Sequence, residues 1–498
     1  MILRPFPSIL SAGVLLLLVG CGDILGPGRD GTRGLWIRDT GVVLEPGESI
    51  ALSARIQVSN NSAEAEEAGT VIVPPRNARW WTDNPAVLRV PNESSGRIEA
   101  LAPGRATVWV QVGSRRDSAN VTVLGAGAES THRWKAVATW RSGTCALDVQ
   151  GHAYCWGDDY YGNWGTSGDR RQWTNTHRPV RVNSPLAFEG IGVGLGFACA
   201  RTAGGEVWCW GLHLGSQLGH GRTSVHFETG PVRVGFSGRA AALAVGLQHA
   251  CLLDVEGRAH CWGMNLMQQL GVTENILGSG ERGGRTLPVA FAGTFRSIST
   301  HGVHTCGITP AGELYCWGSI PVGPGYATVP VPTQVPTSVT PVRVEAGGTT
   351  TCFLTAAGEM HCFGSNDGGE SGRPPGRSTD VPTPAAIELR FEDLALGGGM
   401  TCGIIPNGQA WCWGTGSALD PAALQMCGNI GTRFPCTGTP IPILGNLRFR
   451  SLSIDQATCG VTLDGELYCW GQNDRGQLGI GRPDVESTHI PQRVLDPL

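Results

Sequence analysis

The chain carries little charge and no long apolar run. Asp, Glu, Lys and Arg make up only 16% of its 498 residues, and 37 basic against 41 acidic residues leave a net charge of −4. No basic run or stripe occurs. Nucleic-acid binding draws on a concentrated positive footprint, so no nucleic-acid partner is expected. The apolar run from Ile9 to Gly20 is too short to cross a bilayer, which takes about 20 such residues. The motifs of chemistry are missing as well: there is no Gly-x-Ser-x-Gly, no Walker loop and no His-Glu-x-x-His. The scattered Asp and Glu fall mostly in turns and at strand edges, and no glycosidase pair stands out. No catalytic residue and no cofactor is expected, and the chain reads as a non-enzyme.

What is present is a phrase written seven times: Cys, nine residues, Cys, aromatic, Gly. The pairs are Cys145/Cys155, Cys199/Cys209, Cys251/Cys261, Cys306/Cys316, Cys352/Cys362, Cys402/Cys412 and Cys459/Cys469. Trp-Gly follows each second Cys except Cys362, where Phe363-Gly364 stands. Self-similarity with a period near 50 residues points to a repeat architecture.

Each copy has Gly four residues before its second Cys, from Gly151 to Gly465. Counting inward from the two cysteines makes this Gly the third residue of a three-residue hairpin loop, a position that needs positive φ. The same register sets the cysteines opposite each other on antiparallel strands, within reach of a disulfide. Positions two before the second Cys are all apolar, and a ring (Tyr154, Trp208, His260, Tyr315, His361, Trp411, Tyr468) precedes each second Cys on the other face. A strand apolar on both faces is expected to be buried on both. Zinc ligand pairs have short spacings, usually two to four intervening residues, so nine favours disulfides and no metal site is expected. Each bond closes a small loop, contributing about 2–3 kcal/mol in the chain-entropy model. Cys427 and Cys436 bracket an insertion in the sixth repeat and are expected to pair. Cysteines in this number suit an oxidising compartment.

A Gly-rich segment and a Pro-x-x-Val strand follow the hairpin. The fullest copy is Gly471-Gln472-Asn473-Asp474-Arg475-Gly476-Gln477-Leu478-Gly479, echoed at Gly215–Gly219 and Asn265–Gly271; repeats 4 and 6 show no such segment. These features resemble the RCC1-type β-propeller repeat, in the cysteine-containing form seen in exported bacterial proteins. The resemblance covers residues 133–498 and implies an all-β fold: a seven-bladed β-propeller of about four strands per blade. The guanine-nucleotide exchange role of the family's eukaryotic namesake is not expected here, because fold does not carry function.

Residues 35–124 form a separate unit. Strands are expected at Val42–Leu44, Ser49–Val58, Val87–Val90, Ile98–Leu101, Ala106–Val112 and Ala119–Leu124, separated by turn signals at sandwich-like spacing. Trp81-Thr82-Asp83-Asn84-Pro85-Ala86-Val87 and the stretch from Gly96 to Val108 resemble the group 2 bacterial immunoglobulin-like (BIG2) domain. This implies an N-terminal immunoglobulin-like β-sandwich serving as a stalk, joined to the propeller by a linker at 125–132. Arg4, the apolar run and Leu18-Val19-Gly20-Cys21 look like a lipoprotein signal peptide with its lipobox. That resemblance implies cleavage after residue 20, a lipidated Cys21 opening a linker over 21–34, and a lipid-anchored place in the bacterial cell envelope. Gly22 after the Cys implies the outer membrane or cell surface.

With the hairpins committed to structure, binding is expected in the loops. The first repeat's loop holds Tyr160, Tyr161, Trp164, Arg170, Arg171 and Trp173 beside Asp158 and Asp159. Tyr, Trp and Arg are the types enriched at interface hot spots. His249 and His304, each two residues before a first Cys, read as structural, as do His260 and His361. His213, His220 and His226 share one loop and are a candidate surface metal site, but three unrelated spacings make it the weaker reading. The expected function is a monomeric, envelope-anchored binding scaffold for a protein or glycan. The alternatives are an enzyme inhibitor similar to the secreted β-lactamase inhibitor propeller and, less favoured, a hydrolase. Mass mapping of the unreduced protein should show seven hairpin disulfides, an eighth at Cys427–Cys436 and an acylated Cys21. Free thiols at the hairpin positions would overturn the compartment and the fold together.

Overall fold

The computed structural model describes residues 35–123, 132–159 and 175–497, apart from 38, 41, 45, 53, 58–69, 73–77, 225, 275, 323–324, 377 and 428–432. The lipobox with Cys21, and Tyr160, Tyr161, Trp164, Arg170, Arg171 and Trp173, lie outside the described residues. The described chain is almost entirely β, with two 3₁₀ turns at Ser279–Arg282 and Pro421–Ala423.

Among the described residues the repeats form seven sheets, each built on four antiparallel strands in chain order, with the short strand Gln425–Cys427 intervening before the fourth in the sixth sheet. Sheet 1 comprises Trp134–Trp140, Gly143–Asp148, Ala153–Asp158 and Asn175–Arg181; sheets 2 to 7 follow at 188–233, 240–288, 297–335, 341–384, 393–442 and 449–493. The first strand of each sheet touches the first strand of the next, and the first strand of sheet 7 touches that of sheet 1. The first strands therefore lie innermost and the sheets close into a ring.

Local chemistry explains the hairpins. In sheet 1 the Gly151 amide donates to Asp148 O at 3.0 Å, and Gly151 takes φ 89°, which a Cβ would strain. The register pairs Cys145 with Cys155 and Leu147 with Ala153. The other six hairpins repeat the cysteine register: Cys199 faces Cys209, Cys251 faces Cys261, Cys306 faces Cys316, Cys352 faces Cys362, Cys402 faces Cys412 and Cys459 faces Cys469. A disulfide joins each of these pairs, with the Cα atoms 4.1 Å apart. Another joins Cys427 to Cys436 in the insertion of sheet 6.

Strand alternation sends each Cys and the residue after it to opposite faces. Cys145 and Cys155 pack in one cluster with Phe188, Val193 and Trp210 of sheet 2, whereas Trp156 packs with Val461, Leu467 and Leu478 of sheet 7. The pattern repeats around the ring, and every interface between neighbouring sheets has its own apolar cluster. Trp156, Trp210, Trp262, Trp317, Trp413 and Trp470 are wholly buried, and Phe363 is 2% exposed. The rings before the second cysteines are less enclosed than their sequence suggests. Tyr154 and His361 are buried, but Trp208, His260, Tyr315, Trp411 and Tyr468 are only half-buried.

The N-terminal unit has three small sheets around one core that includes Ile37, Val42, Ile50, Trp80, Leu88, Ile98, Val108 and Val121. The single strand expected over Ser49–Val58 is two. Ser49–Ala51 pairs with Arg97–Ala100, and Ala54–Gln57 pairs with Leu35–Ile37. The Leu52 amide leaves the ladder to donate to Gly96 O at 3.0 Å, and the chain changes sheets there. Arg79–Thr82 is an additional strand, paired with Gly104–Val112. The unit is docked on the ring: Asp39–Thr40 adds in parallel to the outermost strand of sheet 1, and Arg482 Nη1 meets Glu48 Oε1 at 2.7 Å.

Truncating the wholly buried Trp317 to Ala should cost about 3–5 kcal/mol by cavity formation. Urea unfolding of the oxidised protein measures this, and a loss below about 1 kcal/mol would show that the ring packs loosely there.

Candidate functional site

The hairpin cysteines supply no reactive thiol. Cys145, Cys155, Cys199, Cys209, Cys251, Cys261, Cys306, Cys316, Cys352, Cys362, Cys402, Cys412, Cys459 and Cys469 are wholly buried and all bonded in disulfides. Two other kinds of place gather polar side chains: the loops that bridge neighbouring sheets, and the ring centre.

The bridging loop follows the third strand. In sheet 7 Asn473 organises it, its Oδ1 accepting from the Leu478 amide at 3.1 Å and its Nδ2 donating to Arg482 O and Val485 O. Asn265 does the same in sheet 3, accepting from Leu270 N and donating to Ile276 O. Asn366 does so in sheet 5, with Ser371 N and Pro374 O. The loop thereby aims one carbonyl at the next sheet. Gln477 O accepts from Trp156 Nε1 and Thr144 Oγ1, both at 2.9 Å. Gln217 O accepts from Trp262 Nε1 at 2.9 Å. Gln269 O takes Trp317 Nε1 (3.1 Å) and Thr305 Oγ1 (3.4 Å), and Glu370 O takes Trp413 Nε1 (3.1 Å) and Thr401 Oγ1 (2.8 Å).

The loop of sheet 5, Asn366-Asp367-Gly368-Gly369-Glu370-Ser371-Gly372, escapes a search for Gly-Gln-Leu-Gly. Its signal is the Asn four residues after Cys362, not the Gln. Sheet 6 has no such loop, and the Trp470 indole N–H it would serve has no partner among the described residues. Ala418 and Leu419 pack there instead.

His249 and His304 are wholly buried and bridge sheets. His249 Nε2 lies 3.0 Å from Thr305 Oγ1, and His304 Nε2 lies 3.0 Å from Thr351 Oγ1. Burial pushes both down to about 3, with His301 and His249 adding a smaller push on His304.

At the centre, Arg343 reaches Asp393 Oδ1 at 2.5 Å and Glu345 Oε1 at 3.1 Å. Ser299 Oγ donates to Glu345 Oε2 and accepts from the Ala346 amide. Burial raises the Glu345 and Asp393 carboxyls, and Arg343 opposes it. These groups tie the inner strands of sheets 4, 5 and 6.

The histidine loop of sheet 2 is a true cluster. The chain folds so that His213, His220 and His226 converge, with ligand atoms all within 4.8 Å of one another. His213 sits at the place of Asn473, Asn265 and Asn366. Sequence spacing hid the convergence because the turn at residues 214–225 brings the partners together.

Comparison with known proteins agrees with the repeats. The model titled "Regulator of chromosome condensation (RCC1) repeat" matches residues 464–498, and a second model of the same description matches residues 240–269. The chain carries RCC1 repeats. It is 27% identical over 334 residues to the RCC1 domain-containing protein RUG3, mitochondrial, of Arabidopsis thaliana, covering 64% of this chain and 73% of that one. It is 26% identical over 298 residues to the Ultraviolet-B receptor UVR8 of the same plant, covering 56% and 63%. Among solved structures, Kap60 bound to yeast RCC1 (Prp20) superposes with a TM-score of 0.61 at 16% identity, covering 74% of this chain and 85% of that one. The RCC1-like propeller fold is thus shared with proteins of distant sequence.

The buried histidines set a pH dependence for the RCC1-like ring. An unfolded His titrates near 6.5, while His249 and His304 titrate at about 3 in the fold. Between those values the unfolded chain binds protons that the folded chain refuses. Stability is therefore complete above pH 6.5 and lost as pH falls toward 3, by up to about 1.4 kcal/mol per pH unit for each His. His249→Phe, which copies Phe197 of sheet 2, should flatten that slope in urea unfolding between pH 7 and 4. An unchanged slope would count against a neutral buried ring.

Proposed function

We propose that the chain is an envelope-anchored lipoprotein and that its ring is a non-catalytic scaffold for binding a protein. In this reading the seven sheets are the blades of a seven-bladed β-propeller over 133–498. Residues 35–124 are the immunoglobulin-like stalk, and Cys21 carries the lipid. The observation that supports the scaffold most is the division of labour within each repeat. In four repeats the hairpin's buried indole is taken up between sheets, whereas the connection between third and fourth strands varies freely. It spans residues 264–286 in sheet 3 and only 323–324 in sheet 4. Variable connections on a rigid frame are where recognition resides. Yeast RCC1, which shares the fold, is itself seen with Kap60 bound. A glycan is the second ligand class open to such a face.

Residues 160–174 are the segment of choice for the contact, because Tyr160, Tyr161, Trp164, Arg170, Arg171 and Trp173 concentrate hot-spot residue types. The oxidised protein should capture a partner from native envelopes. Tyr160→Ala with Trp164→Ala should lose it by at least about tenfold while the unfolding curve stays in place. Undiminished capture would remove this segment from the proposal. Cys21→Ser tests the anchor separately: the protein should move from the membrane pellet to the soluble fraction, and continued pelleting would dismiss lipidation.

A further inference from the structure

The histidine loop of sheet 2 brings three potential ligand atoms together: His220 Nε2, His226 Nε2 and Glu228 Oε1. His226 Nδ1 lies 2.6 Å from Ser224 O and must carry the proton it donates. Its Nε2 then presents a lone pair, yet that atom faces Glu228 Oε1 at 3.1 Å, acceptor against acceptor. His220 Nε2 completes the set, 3.1 Å from His226 Nε2 and 3.7 Å from Glu228 Oε1. The His220 Nδ1 accepts from the Arg222 amide at 3.2 Å, so its Nε2–H can donate to His226 Nε2, and Glu228 Oε1 accepts from Arg222 Nη1 at 3.1 Å; the approach of the His226 Nε2 lone pair to the carboxylate is left unrelieved. A cation at the centre of the triangle would meet all three lone pairs and relieve that contact.

The dimensions suit a metal. Tetrahedral zinc with bonds of about 2.0–2.2 Å sets its ligand atoms about 3.3–3.5 Å apart. The observed edges of 3.1, 3.1 and 3.7 Å bracket that value. The backbone prepares the site: His226 and Glu228 stand two apart on one strand and so share a face, and the turn brings His220 above them. His220 is 6% exposed at its side chain, while His226 and Glu228 are about a fifth exposed, which leaves one side open for a fourth ligand.

His213 is excluded from the ligand set. Its Nδ1 accepts from the Leu218 amide at 3.4 Å and its Nε2–H donates to Arg222 O at 2.8 Å, the same two bonds that Asn makes in sheets 3, 5 and 7. It is the wall of the site. Two features oppose binding. Ligation moves the His220 proton to Nδ1 and gives up the bond from the Arg222 amide. The Arg222 guanidinium, 3.1 Å from Glu228 Oε1, competes for the carboxylate, but its side chain is 69% exposed and can swing into solvent.

We propose that His220, His226 and Glu228 form a binding site for one zinc-class divalent ion on the second sheet. Two imidazoles and a carboxylate select borderline transition ions over magnesium or calcium, which prefer all-oxygen shells.

The test is titration of the full oxidised chain, without a polyhistidine tag and stripped with chelator, with zinc in competition with a chromophoric chelator. One ion per chain is expected, together with a zinc-dependent rise in the thermal midpoint. Glu228→Gln and His220→Ala should each abolish binding. His213→Asn should retain it, and Arg222→Ala should tighten it. Glu228→Gln is nearly isosteric, so its fold can be verified by an unchanged unfolding curve without zinc. No uptake by the native chain at 100-fold excess zinc would overturn the proposal. So would uptake that survives Glu228→Gln, or uptake lost in a folded His213→Asn.

Discussion

At four of the seven interfaces a backbone carbonyl, offered by a loop of one sheet and taken by the tryptophan indole of the next, sets how the sheets sit on one another; the indoles of Trp210 and Trp470 have no such partner among the described residues. Apolar burial pulls neighbouring sheets together but does not choose a register, because it is non-directional. The indole bond does choose. Trp156 reaches Gln477 O, Trp262 reaches Gln217 O, Trp317 reaches Gln269 O and Trp413 reaches Glu370 O. In three of these interfaces a threonine hydroxyl shares the same oxygen. The disulfide serves this contact from behind. It pins the strand that carries the tryptophan, and alternation turns the sulfurs to one neighbour and the indole to the other.

This dependence explains why the repeats depart from their pattern where they do. Sheet 4 has no bridging loop; its third strand, Leu314–Val322, turns directly into Gly325–Val335. The following sheet is the one that has Phe363 in place of tryptophan. With no carbonyl to meet it, an indole N–H would be buried unpaired, which costs about 1–3 kcal/mol, and phenylalanine has no N–H to strand. Sheet 6 also lacks the loop, yet sheet 7 keeps Trp470, and there the N–H is indeed without a partner among the described residues. The two solutions to one missing acceptor sit side by side in the same chain.

The hairpins were legible because their constraints are local. Nine residues between cysteines, a positive-φ glycine and period-two apolar positions determine a hairpin without reference to anything distant, and the register from Cys145↔Cys155 to Cys459↔Cys469 follows. The indole contact was not legible, since its acceptor is a main-chain oxygen some 40 to 50 residues upstream, or at the far end of the chain for Trp156. A carbonyl has no residue type to search for. The sheet-5 loop was missed for the same reason: Glu370 supplies the oxygen as well as a Gln does, because only its backbone is used. The half-buried rings such as Trp208 and Tyr468 misled in the other direction. Their apolar character predicts full burial, which only Tyr154 and His361 reach.

The histidine cluster shows how a site can arise on such a frame at small cost to it. The bridging loop needs, four residues after the second Cys, one acceptor for an amide and one donor for a carbonyl. Asparagine meets that need with its amide group, and a neutral imidazole meets it equally well with its two nitrogens, as His213 does. The substitution keeps the carbonyl of Gln217 on Trp262 and so leaves the contact between sheets 2 and 3 intact. A ring is larger than an amide, however, and it gives His220 and His226 a flat surface to stand against, at centroid distances of 4.5 and 4.6 Å. That support holds two more imidazoles beside a carboxylate on a surface that the scaffold does not otherwise use. Structural demand on the loop is confined to two hydrogen bonds, and any side chain that makes them is free to bring additional chemistry.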